Sequence, residues 1–253
     1  ERPAGQLLIM TRRRTALVTG GAKGIGKAIV EKLAAVGFSV AINYNTSEKA
    51  AFELTSELQS RGVNALAVRA DVSDYGEVKR MYDECRAYFG FIDTLVNNAG
   101  ISLIKPLYDC TEADFDRVTA VNLKSVFNTC RIFTPDMTSE GFGRIVNISS
   151  VWGEYGGSTE TLYSAAKAGV IGFTKALNAE LATGGVIVNS VSPGFINTAM
   201  NSELSEADVA AFLQSVSVGR AGGAEEVADV VELLTREKLY VAGANISVNG
   251  GIL

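Results

Sequence analysis

Eight residues constrain this chain more than any others: Thr19-Gly20-Gly21-Ala22-Lys23-Gly24-Ile25-Gly26. They follow the apolar run Thr15-Ala16-Leu17-Val18 and lead into Ile25, Ala28, Ile29, Leu33 and Val36, which recur at helical spacing as far as Gly37. A strand, a glycine turn and a helix in this order let the backbone turn sharply and bring a helix N-terminus up to a pyrophosphate. Glycine also serves tight helix–strand packing. The place of the turn after the first strand favours dinucleotide binding through Gly20, Lys23, Gly24, Ile25 and Gly26.

The alternation then continues. Ser39–Asn43, Ala65–Arg69, Thr94–Val96, Arg144–Ile148, Val186–Val191 and Ile246–Val248 read as strands; Glu48–Gln59, Val78–Phe89, Glu112 to about Phe133 and roughly Leu162–Leu181 read as helices. Strands separated by helix-length segments imply right-handed crossovers, so the expected fold is α/β, a Rossmann-like doubly wound parallel sheet of about seven strands with helices on both faces. With 253 residues, 47% of them hydrophobic, the chain can bury a sizeable core, and no linker-like tract marks a second domain. We expect residues 11–253 to form one domain, with the irregular polar stretch 197–223 as a substrate flap. Residues 1–10, ahead of the basic run Thr11-Arg12-Arg13-Arg14, are expected to be a leader or tag outside the fold.

A net charge of -5 argues against general affinity for nucleic acid or an anionic membrane, and no apolar run is long enough for a membrane helix. The three cysteines, Cys85, Cys110 and Cys130, form no CxxC pair, so neither a disulfide framework nor a metal site is expected and a cytoplasmic location is the default. There is no histidine. Acid–base chemistry must therefore use Tyr, Lys, Cys or a carboxylate.

An NAD-selective site usually offers an acid to the ribose 2′-hydroxyl about 20 residues past the first glycines. That region here is Asn43-Tyr44-Asn45-Thr46-Ser47, without an acid. Lys23 and these polar groups would accept a 2′-phosphate, so NADP(H) is the expected cofactor. Asp71 and Val72 after the third strand, and Asn97-Asn98-Ala99-Gly100 after the fourth, sit at strand carboxyl ends, where such sheets place ligands. Asp71 could accept from the adenine amino group. For the asparagines, tying strand ends together competes with cofactor contact, and we expect both.

Tyr163 and Lys167 are i and i+4 near the start of a helix and share a face. Drawing a phenol from a pKa of about 10 towards neutrality takes roughly 3–4 kcal/mol of differential stabilisation, which one partly desolvated ammonium plus a cationic nicotinamide ring could provide. Ser150 closes the Arg144–Ser149 strand, 13 residues before Tyr163, and the two hydroxyls could bind one carbonyl oxygen. Taken alone, each of these residues has an ordinary structural use: a cation–π contact for the pair, a strand-end hydrogen bond for the serine.

These residues together resemble the short-chain dehydrogenases/reductases from Thr15 to Ile252. The resemblance rests on the Thr19–Gly26 turn, Asn97–Gly100, Asn122, Ser150, Tyr163, Lys167, Pro193-Gly194 with Thr198, and Val248-Asn249-Gly250-Gly251, all in family order. It implies that Tyr163 transfers the substrate proton, that Ser150 polarises the carbonyl, that Lys167 tunes Tyr163 and bonds the ribose, and that Asn122 anchors a water relaying protons from Lys167. It also implies that Pro193, Gly194, Ile196 and Thr198 hold the nicotinamide carboxamide. Within the family the chain is most similar to the 3-oxoacyl-(acyl-carrier-protein) reductases, in Ile42-Asn43-Tyr44-Asn45, Asn97–Ile101 and Pro193-Gly194-Phe195-Ile196 with Thr198. That likeness implies a 3-oxoacyl thioester substrate, possible contact with acyl carrier protein, and a homotetramer. Two positions where those reductases often carry arginine or lysine read Ser139-Glu140-Gly141-Phe142 and Thr183-Gly184-Gly185 here. Leu103, Trp152, Tyr155, Phe195 and Met200 are candidates for the substrate pocket or, equally, for packing. The alternatives are a relative acting on another small ketone, sugar or polyol, and a scaffold that senses NADP(H) without turnover.

Overall fold

A computed structural model describes residues 14–198 and 206–252. Seven strands, β1 (Thr15–Val18), β2 (Ser39–Tyr44), β3 (Ala65–Arg69), β4 (Thr94–Asn97), β5 (Gly143–Ile148), β6 (Val186–Pro193) and β7 (Asn245–Val248), form one sheet in the order β3-β2-β1-β4-β5-β6-β7. Every pair is parallel, with Leu17 opposite Ala41 on one side and Leu95 on the other. The expected doubly wound α/β sheet is what the chain forms. Its order reverses beside β1, and the crevice this opens lies at the strand carboxyl ends.

The helices are α1 (Gly24–Ala35), α2 (Glu48–Ser60), α3 (Tyr75–Phe89), α4 (Glu112–Thr119), α5 (Ser125–Ser139), α6 (Val151–Tyr155), α7 (Thr161–Leu181), α8 (Glu206–Leu213) and α9 (Ala224–Thr235). Both sheet faces are covered. Ala16, Val18 and Ile42 turn towards α1, α2 and α9, while Leu17, Ala41 and Leu95 turn towards α3, α5 and α7. Burial on both faces is why these strands read as continuous apolar runs rather than alternating ones.

Four elements differ from the sequence expectation. The long helix expected from Glu112 is interrupted by a π-helical turn, Ala120–Lys124, centred on Asn122. A π-helical turn holds one more residue than an α-helical one, a distortion that recurs at functional sites. The short α6 begins at Ser150, whose Oγ accepts from the Trp152 amide at 3.1 Å. No helix is read from the sequence beyond Leu181, yet α9 packs Val227, Val231 and Leu234 onto the sheet, its start held by the Gly223 amide donating to Glu226 Oε2 at 2.8 Å. The expected flap at 197–223 is in part α8. Its residues 199–205, the leader and Met200 lie outside the described residues.

Phe133 on α5 is 1% exposed and meets Tyr82 of α3 edge to face, ring centroids 5.1 Å apart. Phe133→Ala should lower stability by about 3–5 kcal/mol, measured by urea unfolding; a loss under about 1 kcal/mol would show that this face collapses to fill the gap.

Candidate active site

The glycine turn is built for close approach. Gly20 and Gly24 have φ of +60° and +52°, in the left-handed region that glycine tolerates. A Cβ on Gly26 would lie 2.3 Å from the Gly20 carbonyl oxygen and 2.5 Å from Asn98 Nδ2, so no side chain fits. Lys23 stands at the N-cap of α1 with no side-chain cap and no acid in the first turn, leaving that helix end able to face an anion. Thr198 comes across from the β6 side to within 3.7 Å of where a Gly24 Cβ would sit. This cradle, open at a helix N-terminus and free of acid, fits a dinucleotide pyrophosphate.

The neighbouring strand ends lock it. Thr19, which the sequence marks only as the first residue of the turn, accepts through Oγ1 from the amides of Asn98 at 2.9 Å and Ala99 at 3.0 Å, while Asn98 Nδ2 donates to the Thr19 carbonyl at 3.0 Å. Asn97 turns inward: its Nδ2 donates to Asn147 Oδ1 at 2.8 Å, its Oδ1 accepts from Thr129 at 2.7 Å, and Asn147 donates on to Thr174 at 2.9 Å. Of the two expected roles, the tie between strand ends is what these bonds display: Asn97 is buried in a strand-to-strand ladder and Asn98 holds the glycine turn.

At the adenosine end, Asn43 is 1% exposed; its Oδ1 accepts from the Gly20 amide at 3.2 Å and its Nδ2 donates to the Ala70 carbonyl at 3.1 Å. Its amide is fully used within the fold. Tyr44 is also buried, edge to face with Phe52, and burial, reinforced by Glu48, raises its phenol pKa. Val72 packs into the core on the α3 side. Asn45, Thr46 and Asp71 remain at the crevice. Burial opposes ionisation of Asp71, but hydrogen bonds from Ser73 and Asn45 outweigh it and hold the carboxyl below its ordinary value; Ser73 donates to Asp71 Oδ1 from its hydroxyl at 2.7 Å and its amide at 2.9 Å.

Across the crevice, α7 brings Tyr163 and Lys167 under the end of β5. Lys167 is 3% exposed and its Nζ donates to the Ile148 carbonyl at 2.8 Å. A Cβ on Gly100 would lie 3.4 Å from Lys167 Nζ and 2.8 Å from Asn122 Oδ1, so glycine there keeps the three groups together. The π-helical turn aims Asn122 at this junction, where its Nδ2 donates to the Ile101 and Val118 carbonyls at 2.9 and 3.0 Å and its Oδ1 accepts from the Ile101 amide at 3.2 Å. Ser150 hydrogen-bonds to the Tyr163 hydroxyl. Ser150, Tyr163, Lys167 and Asn122, picked out separately along the sequence, thus converge.

The electrostatics differ from expectation in one respect. Burial pushes the Lys167 ammonium down to about 8. It also pushes the Tyr163 phenol up to about 12, with the Ser150 hydrogen bond opposing and the Glu160 charge adding to the rise. Lys167 Nζ donates to Ile148 and sits 5.7 Å from the Tyr163 ring centroid, and burial, not the ammonium, dominates the phenol. A phenol held protonated suits donation of a proton to a carbonyl oxygen. Glu160, a carboxyl not singled out from sequence, is itself raised by burial, with a hydrogen bond from Trp152 working the other way.

Leu103 and Trp152 pack beside Tyr163. Trp152 meets Phe212 of α8 edge to face at 5.6 Å, and Phe212 meets Phe195 at 5.2 Å, so an aromatic wall runs from α6 through α8 to the end of β6. Phe212 had no sequence signature beyond being apolar. Tyr155 is 63% exposed at the end of α6. A cavity of about 180 Å³ is lined by Phe195, Ile196, Val216, Val218, Val248 and Gly250 among others, and neither Ser150 nor Tyr163 lines it. Among the described residues no acidic or cysteine cluster could hold a metal, and no helix is long and apolar enough to cross a membrane.

A family model described as short chain dehydrogenase matches residues 14–209. The chain is 41% identical over 244 residues to the 3-oxoacyl-(acyl-carrier-protein) reductase FabG of Staphylococcus aureus, covering 96% of this chain and 99% of that one. Among solved structures it is similar to a putative gluconate dehydrogenase from Agrobacterium tumefaciens, with TM-score 0.91, 34% identity and 94% and 95% coverage. It is also similar to a blue fluorescent protein from a metagenomic library in complex with NADPH, with TM-score 0.88, 35% identity and 94% and 97% coverage.

The burial of Lys167 can be read directly. Its 13Cε resonance should titrate with a midpoint near 8, the ammonium prevailing below that pH and lost above it, and should be missing from Lys167→Met. A midpoint at the ordinary 10.5 would show a hydrated side chain.

Proposed function

The chain belongs to the short-chain dehydrogenase family and is an oxidoreductase of the CH–OH/C=O class, and from that premise we propose that it reduces a 3-oxoacyl thioester with NADPH. The observation that carries the chemistry is the convergence of Ser150, Tyr163, Lys167 and Asn122 at the end of β5, opposite the glycine turn. The substrate class is supported by the 41% identity to a 3-oxoacyl-(acyl-carrier-protein) reductase over nearly the whole of both chains. The cofactor is supported by the acid-free end of β2, by Lys23 and by the structural likeness to a protein solved with NADPH.

Bound at the glycine turn, with Gly20, Lys23, Gly24, Ile25, Asn45, Thr46, Asp71, Ala99 and Thr198 around it, NADPH would supply the hydride for the carbonyl carbon. Ser150 and Tyr163 hold the carbonyl oxygen between two hydroxyls and stabilise the charge that develops there. Tyr163, protonated up to about pH 12 in the protein alone, delivers its proton to that oxygen. Lys167, a cation below pH about 8, stabilises the phenolate left behind, and Asn122 fixes the backbone around it. The aromatic wall of Trp152, Phe212 and Phe195 keeps water from the reacting carbon. A second reading, oxidation of a sugar acid or polyol by the same residues, is favoured by the likeness to a gluconate dehydrogenase. A non-catalytic sensor would have no use for a phenol–ammonium pair buried at this cost.

Leu107, Tyr108, Phe115 and Phe127 expose 59%, 88%, 49% and 47% of their surface around α4 and α5. A second copy covering this face would bury it in a dimer, and the homotetramer is proposed from the family likeness. The unpaired cysteines fit a reducing cytoplasm.

Tyr163→Phe should lower kcat by about 10²–10⁴-fold while leaving the NADPH dissociation constant unchanged, followed by NADPH absorbance and fluorescence titration. A substrate panel should show turnover of acetoacetyl thioesters of both carrier protein and coenzyme A; activity confined to sugar acids or polyols would transfer the assignment to the second reading.

A further inference from the structure

We propose that Arg69 is a second cation of the nucleotide site and selects for a phosphate on the 2′-oxygen of adenosine; this rests on the cofactor reading above. Arg69 is the last residue of β3 and the register partner of Tyr44, the last residue of β2, so its side chain starts beside the Asn45-Thr46-Ser47 turn. Its Nε donates to the Asn45 carbonyl at 3.4 Å, a long contact, and Arg69 is exposed with no ion-pair partner among the described residues. The terminal nitrogens of the guanidinium are left with donors for an oxyanion.

The surroundings select the anion. Asn45 hydrogen-bonds to Asp71, whose other contacts, from Ser73, hold that carboxylate in place. Ser47 caps α2 without spending its side chain on the helix, so its hydroxyl and the first-turn amides face the same turn. Glu48 and Asp71 are the opposing charges nearby; Arg69 helps to hold Asp71 ionised, and the Tyr44 hydroxyl reaches Glu48 Oε1 at 3.5 Å. Lys23 stands at the N-cap of α1, two residues past Gly21, whose amide donates to the Asn43 carbonyl near the end of β2 at 2.9 Å. Two cations face two acids, but Asp71 already accepts from Ser73 and Asn45, and the guanidinium donors with the hydroxyl and amide donors between them match a phosphate monoester better than a bare ribose hydroxyl. Sequence spacing from the glycines points to the end of β2 and passes over Arg69, because only the parallel pairing of β2 with β3 carries it there.

The experiment compares wild type, Arg69→Gln, Arg69→Lys and Arg61→Gln, the last removing a charge at the far end of α2. Steady-state rates with NADPH and NADH are combined with inhibition constants for 2′,5′-ADP and 5′-AMP. In Arg69→Gln, KM for NADPH and the inhibition constant for 2′,5′-ADP should each rise about tenfold, with kcat for NADPH and the constant for 5′-AMP within about twofold. Arg69→Lys should recover part of the loss, and Arg61→Gln should match wild type. A wild-type enzyme that does not prefer NADPH overturns the cofactor reading and this inference together. A wild type that prefers NADPH beside an Arg69→Gln variant that keeps the full preference, or loses both nucleotides equally, overturns this inference alone.

Discussion

A buried ammonium disciplines the packing around the site. Lys167 is 3% exposed, and burial of a charge is tolerated only where an acceptor waits for it. That acceptor is the Ile148 carbonyl, 2.8 Å away at the end of β5. The register between β5 and α7 must therefore be held, and three features hold it: Ser149 Oγ donates to the Lys167 carbonyl at 2.8 Å, Gly153 packs where a Cβ would lie 2.8 Å from the Lys167 carbonyl carbon, and Asn147 reaches Thr174 one face further along. A slip of one helical turn, about 5.4 Å, would leave the ammonium in the core without its acceptor. Tyr163 inherits its position from the same register.

The opposite shore uses neutral groups to the same end. Thr19, Asn98 and Asn43 spend their polar atoms on the glycine turn and the strand ends rather than on solvent, which fixes Gly20 against Ala99 with no room for a side chain. Beside these two shores lies α8. It contributes Phe212, which joins Trp152 to Phe195.

Much of this was legible in the sequence, for identifiable reasons. The glycine turn, all seven strands and the i,i+4 placement of Tyr163 and Lys167 come from local spacing, and Ser150 from its place at a strand end. What local spacing cannot carry is direction. Strands buried on both faces lose the alternation that marks inside from outside, so Asn43 and Tyr44 read as crevice residues although their side chains serve the core. The π-helical turn leaves no trace in an apolar period that α4 and α5 otherwise keep, and Asn122 draws attention only through family likeness. Glu160, Phe212 and Thr19 matter through tertiary neighbours. For α9 a local pattern existed in Val227, Val231 and Leu234 with Glu226 placed to close on Gly223; the glycine- and serine-rich stretch before it made the whole region read as irregular.

The central claim is that the two shores meet over a 3-oxo carbon, one carrying the nicotinamide and the other the proton donor. It is tested most directly by mass spectrometry of the product formed from acetoacetyl thioester with NADPH deuterated at C4, each face labelled in turn. One deuterium should appear at C3 of the 3-hydroxyacyl product from one face of the cofactor only, because a fixed crevice presents a single face. Product without label, or label from both faces, would contradict the account.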